Sequence, residues 1–169
     1  GVAVDVVFQW HTGVDDSEIV SFVNTIPTPD GGKHVAGFKS AITKAINQVI
    51  LAGTFMGVAE GMVLGMKAGL DMQKVIEAIS GGAAGSWVLS NRAMNMVKNT
   101  YPLGFRARLH HKDLRIALEA ARDLGVTLPA SALMDQMENG IIGRGYGDED
   151  MSAMARTLRE LAGLDKSTQ

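Results

Sequence analysis

The chain has 169 residues, 46% of them hydrophobic and 20% charged, with a formal net charge of −2 at pH 7. That is the composition of a soluble globular protein, one domain or one domain plus part of another. No basic block occurs, which argues against nucleic-acid and anionic-membrane binders; the absence of cysteine excludes disulfides, a thiolate zinc site and a cysteine nucleophile.

Aromatics are scarce at 5%, whereas there are 20 glycines and 10 methionines. This balance favours helices packed through small residues, with flexible side chains filling the gaps. A cysteine-free chain suits a reducing compartment and no signal-peptide pattern opens it, so a cytoplasmic location is expected. The first residue is Gly1, not Met, and the chain is read as cut from something longer or as carrying a tag scar.

Residues 2–8 (VAVDVVF) are β-branched and partly alternating, which predicts a strand. Asp15-Asp16-Ser17-Glu18 reads as a helix start, followed by the apolar Ile19, Val20, Phe22 and Val23. The punctuating residues of 27–32 (PTPDGG) mark a turn or linker. Residues 1–36 are therefore too little for a domain, and are taken as a strand–helix remnant or linker.

From Gly37 the pattern is helical, and residues 37–163 are assigned to one multi-helical domain, with 164–169 as a tail. Residues 38–68 contain no proline and predict one long helix of roughly 45 Å. Asp71 caps a second helix over 72–79, which Gly81-Gly82 ends. Ser86 caps a third over 87–98. A fourth runs over 109–124 with Gly125 as its stop. A fifth starts near Pro129, which suits a first turn. Asp148 or Asp150 caps a sixth that ends at Gly163.

Within the long helix, Gly53, Gly57, Gly61, Gly65 and Gly69 recur at every fourth position. Each costs roughly 0.5–1 kcal/mol against alanine in a helix interior. Residues four apart share a face, so the stripe is expected to pack closely against another helix, within the chain or across a dimer. Small residues at this spacing also occur where membrane helices dimerise. Asn47, Gln48 and Glu60 are costly in hydrocarbon, and the amphipathic helices that follow need this helix as their core, so no membrane span is assigned.

Lys44 lies near the start of this apolar helix, with Asn47 and Gln48 three and four residues on, placing an ammonium and an amide on one face. A desolvated lysine can serve as a general acid or base near neutrality. On spacing alone a snorkelling surface lysine is the commoner case. Lys112, in His110-His111-Lys112-Asp113, fits a solvated helix start with Asp113 near the helix N-terminal dipole. The adjacent histidines lack metal-ligand spacing, and Trp87 reads as core. No nucleophile elbow, phosphate loop or zinc motif occurs.

Several segments match one family in order. They are Lys44-Ala-Ile-Asn47-Gln48, then Ala59-Glu60-Gly61 with Lys67-Ala68-Gly69-Leu70-Asp71, and Gly81-Gly82 through Ser86-Trp87-Val88-Leu89 to Asn91. Gly104-Phe105 follows, then Leu109 through Lys112-Asp113-Leu114, Leu128-Pro129, and Gly147-Asp148-Glu149-Asp150. From Gly37 to Leu161 the chain resembles the C-terminal helical domain of the β-hydroxyacid dehydrogenases, akin to 3-hydroxyisobutyrate dehydrogenase and tartronate semialdehyde reductase, and more distantly to 6-phosphogluconate dehydrogenase.

The resemblance implies a mainly α fold, multi-helical around a long central helix and preceded by a short β-α remnant. It implies NAD- or NADP-dependent hydride exchange with a small 3-hydroxy acid, in which the cofactor carries the hydride. Lys44 would be the catalytic lysine, giving a proton to the carbonyl oxygen in reduction and taking it back in oxidation. Asn47 or Gln48 would hold the substrate, Phe105 would shape the pocket, and Lys112 would sit close to the cofactor. A homodimer is expected, with no metal and no nucleic acid.

Two departures stand beside the resemblance. The family's G-x-G-x-x-G dinucleotide turn does not occur in residues 1–169, so cofactor binding by this chain alone is not expected. The glycines usual four and six residues before the lysine are Ser40 and Phe38. These leave two functional readings: the substrate and dimerisation part of a dehydrogenase, or a free-standing non-catalytic helical module that binds a partner.

Overall fold

The structure, a computed structural model, describes residues 19–165; the strand expected over residues 2–8 and the helix start at Asp15 lie outside the described residues. Contacts divide the chain into two compact units, Gly1–Ser40 and Ala41–Gln169. In the first, Phe22–Val23 (β1) and Ile26–Pro27 (β2) form a small antiparallel hairpin with Phe22 opposite Pro27. This corrects the helix expected through Ile19, Val20, Phe22 and Val23. The reason is the turn: Asn24 and Thr25 both adopt the left-handed region, φ 48° and 68°, which closes a tight hairpin. Ser21 and Thr28 then clamp its base through hydroxyl and carbonyl hydrogen bonds.

Six α-helices and one 3₁₀ turn follow among the described residues, as the mainly α expectation required. The long helix α1 is Lys33–Lys67, starting earlier than the sequence pattern indicated. Helices α2 (Met72–Ser80) and α3 (Trp87–Lys98) begin at the expected caps. Asp71 accepts hydrogen bonds from Gln73 N and Lys74 N, and Ser86 Oγ from Leu89 N at 3.0 Å, satisfying amide donors that a helix start leaves free. Helix α4 (Ala107–Asp123) ends before Gly125 at φ 69°, and α5 (Pro129–Gly143) opens on its proline. A 3₁₀ turn, Met151–Ala153, is capped by Asp150 and leads into α6 (Met154–Leu161).

One face of α1 supplies the centre of the second unit. Ala52, Phe55, Met56 and Ala59, recurring at helical spacing, are buried against Val88 and Met96 of α3, Leu114 of α4, and Met134 and Ile141 of α5, while Met62 packs in a second cluster with Met72, Leu89 and Ala93. Each large apolar side chain buried this way contributes about 1.5–3 kcal/mol. Seven of the ten methionines are buried, as gap-filling side chains between small-residue helices. By length and composition α1 is apolar enough to cross a membrane, but the core of the helical unit is built on it.

The glycine stripe was expected to pack within the chain or across a dimer, and the structure bears only on the first alternative. A Cβ at Gly53, Gly57 or Gly61 would meet nothing within 4 Å among the described residues, so no described helix packs closely there. Only Gly65 is closely approached, by the Met72 thioether, and Gly69 at φ 71° ends the helix. The period reports a shared face; it does not report what covers that face.

Candidate functional site

A cleft of about 420 Å3 opens between α1, the start of α3 and the segment that leads into α4. Asn47 and Gln48 come from α1, Trp87 and Arg92 from α3, and Gly104 and Phe105 from the loop before α4, with Asp150 at the base. Leu51 and Phe55 form an apolar wall. The volume suits a small ligand rather than a polymer.

Asp150 organises this cleft. It is buried, and its Oδ2 accepts from the backbone N–H of Gly104 at 3.1 Å and of Phe105 at 3.0 Å. Its Oδ1 accepts from Arg92 Nε at 3.2 Å, Ser152 N at 3.1 Å and Ser152 Oγ at 2.6 Å. Five donors around one carboxylate compensate its desolvation and fix three segments relative to one another. Met151 N donates to Phe105 O at 2.9 Å, closing the same corner.

Arg92 lies with its guanidinium carbon 4.8 Å from the centre of the Trp87 ring. Trp87 is 60% exposed, which corrects its reading as core: the indole stands at the cleft, stacked on a cation. On the opposite wall, Gln48 Nε2 donates to Asp113 Oδ2 at 3.2 Å, while Gln48 Oε1 is buried without a hydrogen-bond partner among the described residues. Behind Gln48, His110 Nε2 lies 3.3 Å from its carbonyl oxygen, and the ring meets Phe105 edge to face at 6.4 Å.

The structure brings together Asn47, Gln48 and Phe105. Lys112 stands off the cleft, 63% exposed, with Nζ 2.9 Å from Asp113 Oδ1, and so touches it only through the Asp113–Gln48 hydrogen bond. Lys44 lies one turn before Gln48 on α1, about 6 Å along the axis, is exposed, and does not line the cleft. Arg92, Asp113 and Asp150 carry no local sequence signal as site residues; the pattern around Asp150 marks only a helix cap. No group of three metal-ligating side chains occurs among the described residues.

A family model described as NAD-binding of NADP-dependent 3-hydroxyisobutyrate dehydrogenase matches residues 39–158. The chain belongs to this family. It is 42% identical over 126 residues to an uncharacterized oxidoreductase of Shewanella frigidimarina, covering 75% of this chain and 41% of that protein. It is 35% identical over 119 residues to 2-hydroxy-3-oxopropionate reductase of Escherichia coli, covering 70% of this chain and 41% of the relative. Among solved structures, Mycobacterium tuberculosis 3-hydroxyisobutyrate dehydrogenase with L-serine superimposes with a TM-score of 0.63 at 27% identity, covering 70% of this chain and 43% of that one. The chain thus spans about two-fifths of the length of these dehydrogenase-family relatives. The family's description assigns NAD binding to the region that holds the helical unit, 39–158, where the sequence reading emphasised substrate.

A second family model, that of DNA gyrase B, matches residues 1–62, just over a third of the chain. The two matches overlap over residues 39–62, the stretch that contains Lys44, Asn47 and Gln48.

Proposed function

We propose that residues 37–163 form the substrate-binding and dimerisation part of an NAD(P)-dependent oxidoreductase acting on a small 3-hydroxy acid. The observation that carries this is the cleft, where amides of Asn47 and Gln48 and the Phe105 ring converge in a space of small-acid size. Gln48 Oε1, buried and without a hydrogen-bond partner among the described residues, supplies an acceptor for a substrate hydroxyl. NAD or NADP supplies the hydride when bound. Lys44 moves the proton of the reacting oxygen, and Lys112 faces the cofactor. The open face of α1, with Gly57 and Gly61 flanked by the exposed Ile46 and Ile50, supports a homodimer, and a cysteine-free chain supports a cytoplasmic setting.

The test is turnover of 3-hydroxyisobutyrate with NAD or NADP, with the dinucleotide-binding domain of a relative added to the chain. Lys44→Met lowers turnover at least about 100-fold, the scale of a lost general acid or base. Unchanged turnover in that variant would remove Lys44 from the mechanism.

A second reading rests on the gyrase B likeness of residues 1–62. On it the chain is composite: its N-terminal part is of gyrase B type, not a nucleotide-domain remnant, and the two ancestries meet inside α1. Ser40 and Phe38, which replace the glycines expected before Lys44, support this, as does the boundary between compact units at Ser40 and Ala41. The helical unit then serves as a non-catalytic binding module. Peptides spanning residues 36–52 in the native cell's proteome would establish such a chain, and Lys44→Met would leave its partner binding unchanged.

A further inference from the structure

Among the described residues Arg92 is the one cation lining the cleft, and it is held in place from four sides. Nε donates to Asp150, Nη1 donates to the Asn91 carbonyl at 3.1 Å, and the guanidinium lies on the Trp87 ring. Nη2 rests against the bare backbone of Gly104, where an added Cβ would fall inside its van der Waals radius and 2.9 Å from Asp150 Oδ2. Glycine at 104 is therefore what lets the guanidinium occupy this position. The side chain keeps 19% of its surface exposed.

Such an arginine has already lost its rotamer freedom, so an anion that meets its outward edge is bound without paying that ordering cost again. Asp150 does not compete for a ligand, because it points away into four further donors of the loop and the 3₁₀ turn. The remaining walls are amide and apolar. One fixed cation, paired on its Nε side to the buried Asp150 and otherwise facing amide and apolar groups, selects a small monoanion over its uncharged analogue.

We propose that Arg92 is the carboxylate-recognition residue of the cleft, holding the acid group of the ligand on its Nη2 edge while the ligand's hydroxyl turns toward Gln48 Oε1. This deepens, and rests on, the reading of the cleft as a hydroxy-acid site. It fixes the ligand's orientation: carboxylate at α3, hydroxyl at α1, and carbon skeleton over Leu51 and Phe55. It also makes Gly104 a specificity position, since any side chain there displaces the guanidinium.

The experiment follows the Arg92 Nε–H and the Gln48 side-chain amide by NMR in the ¹⁵N-labelled full chain. The probes are 3-hydroxyisobutyrate, isobutyrate and the uncharged 3-hydroxyisobutyramide. The expected result is that both carboxylates move the Arg92 signal, the amide probe does not, and only the hydroxylated acid moves Gln48. Arg92→Lys, which keeps charge but loses the planar fork, weakens 3-hydroxyisobutyrate binding at least about 10-fold. The proposal is overturned if neither carboxylate moves Arg92, or if a folded Arg92→Lys chain binds as tightly as the parent. Should that variant misfold, the titration of the parent chain decides alone. Equal binding of isobutyrate and 3-hydroxyisobutyrate, with Gln48 unmoved, keeps Arg92 as the anion site and removes the hydroxy-acid reading.

Discussion

His110 Nδ1 lies 2.8 Å from Glu138 Oε1, and both residues are wholly buried where α4 crosses α5 behind the cleft. Removing one member strands the other in an apolar interior, whereas removing both leaves nothing unsatisfied. His110→Leu is therefore expected to cost about 3–5 kcal/mol, and His110→Leu with Glu138→Leu to recover most of that loss. Urea unfolding of the single and double variants gives the coupling directly; strictly additive losses would show that the two side chains do not act as a pair.

The same pair carries a pH dependence. Burial pushes the Glu138 carboxyl above its ordinary 4.5, with the hydrogen bond from His110 opposing the rise. In the window above 4.5 the folded chain holds more protons at this site than the unfolded chain does. Its contribution to stability is thus complete below 4.5 and is lost as pH rises through the folded value. Glu138→Gln, uncharged at every pH, should flatten that part of the stability–pH curve, and an unchanged slope would assign it to other groups.

Arg159 gives the opposite sign through its partner. Its Nη1 donates to the carbonyls of Met96 at 3.1 Å and Val97 at 2.7 Å, and Nε and Nη2 hold Asp165. A buried guanidinium therefore satisfies the end of α3, where carbonyls lack helical partners. Arg159→Met is expected to cost about 2–3 kcal/mol, the scale of lost charged hydrogen bonds. The hydrogen bond from Arg159 holds the Asp165 carboxyl below its ordinary 3.8. The stability it contributes is present above 3.8 and lost as pH falls through the folded value. Asp165→Asn should remove this acid limb; a variant that still loses stability equally below 3.8 would contradict the assignment.

Features decided within one turn of chain were legible in the sequence. Asp71, Ser86, Gly125 and Pro129 mark helix ends through side-chain or backbone chemistry that needs no tertiary partner. Asn47 and Gln48 were placed on one face by helical period alone. The hairpin at Phe22 was misread because Val20, Phe22 and Val23 fit either period, and the deciding left-handed turn at Asn24 and Thr25 carries no glycine signal. The cleft's Arg92–Asp150 contact joins residues 58 apart, and His110–Glu138 joins residues 28 apart. No local pattern encodes such pairs; they exist only once helices have packed. Trp87 escaped for a related reason, since whether an indole is core or platform depends on what faces it.

The glycines of α1 make the last prediction. Gly57 and Gly61 sit on an exposed stretch where an added Cβ would meet nothing within 4 Å among the described residues. Alanine there removes backbone freedom from the unfolded state, so Gly57→Ala and Gly61→Ala should each stabilise a dilute monomer by about 0.5–1 kcal/mol. Gly85 is the contrast, because a Cβ would collide with the Ser80 carbonyl and lie 2.9 Å from the Gly82 carbonyl, both backbone; Gly85→Ala should destabilise at any concentration. A larger group distinguishes the free surface from an interface. If α1 carries the dimer, Gly61→Leu leaves the dilute chain folded and yet lowers its mass in light scattering at high concentration, since close helix approach tolerates no branched side chain. A variant that keeps the dimer mass of the parent would move the interface off this stripe.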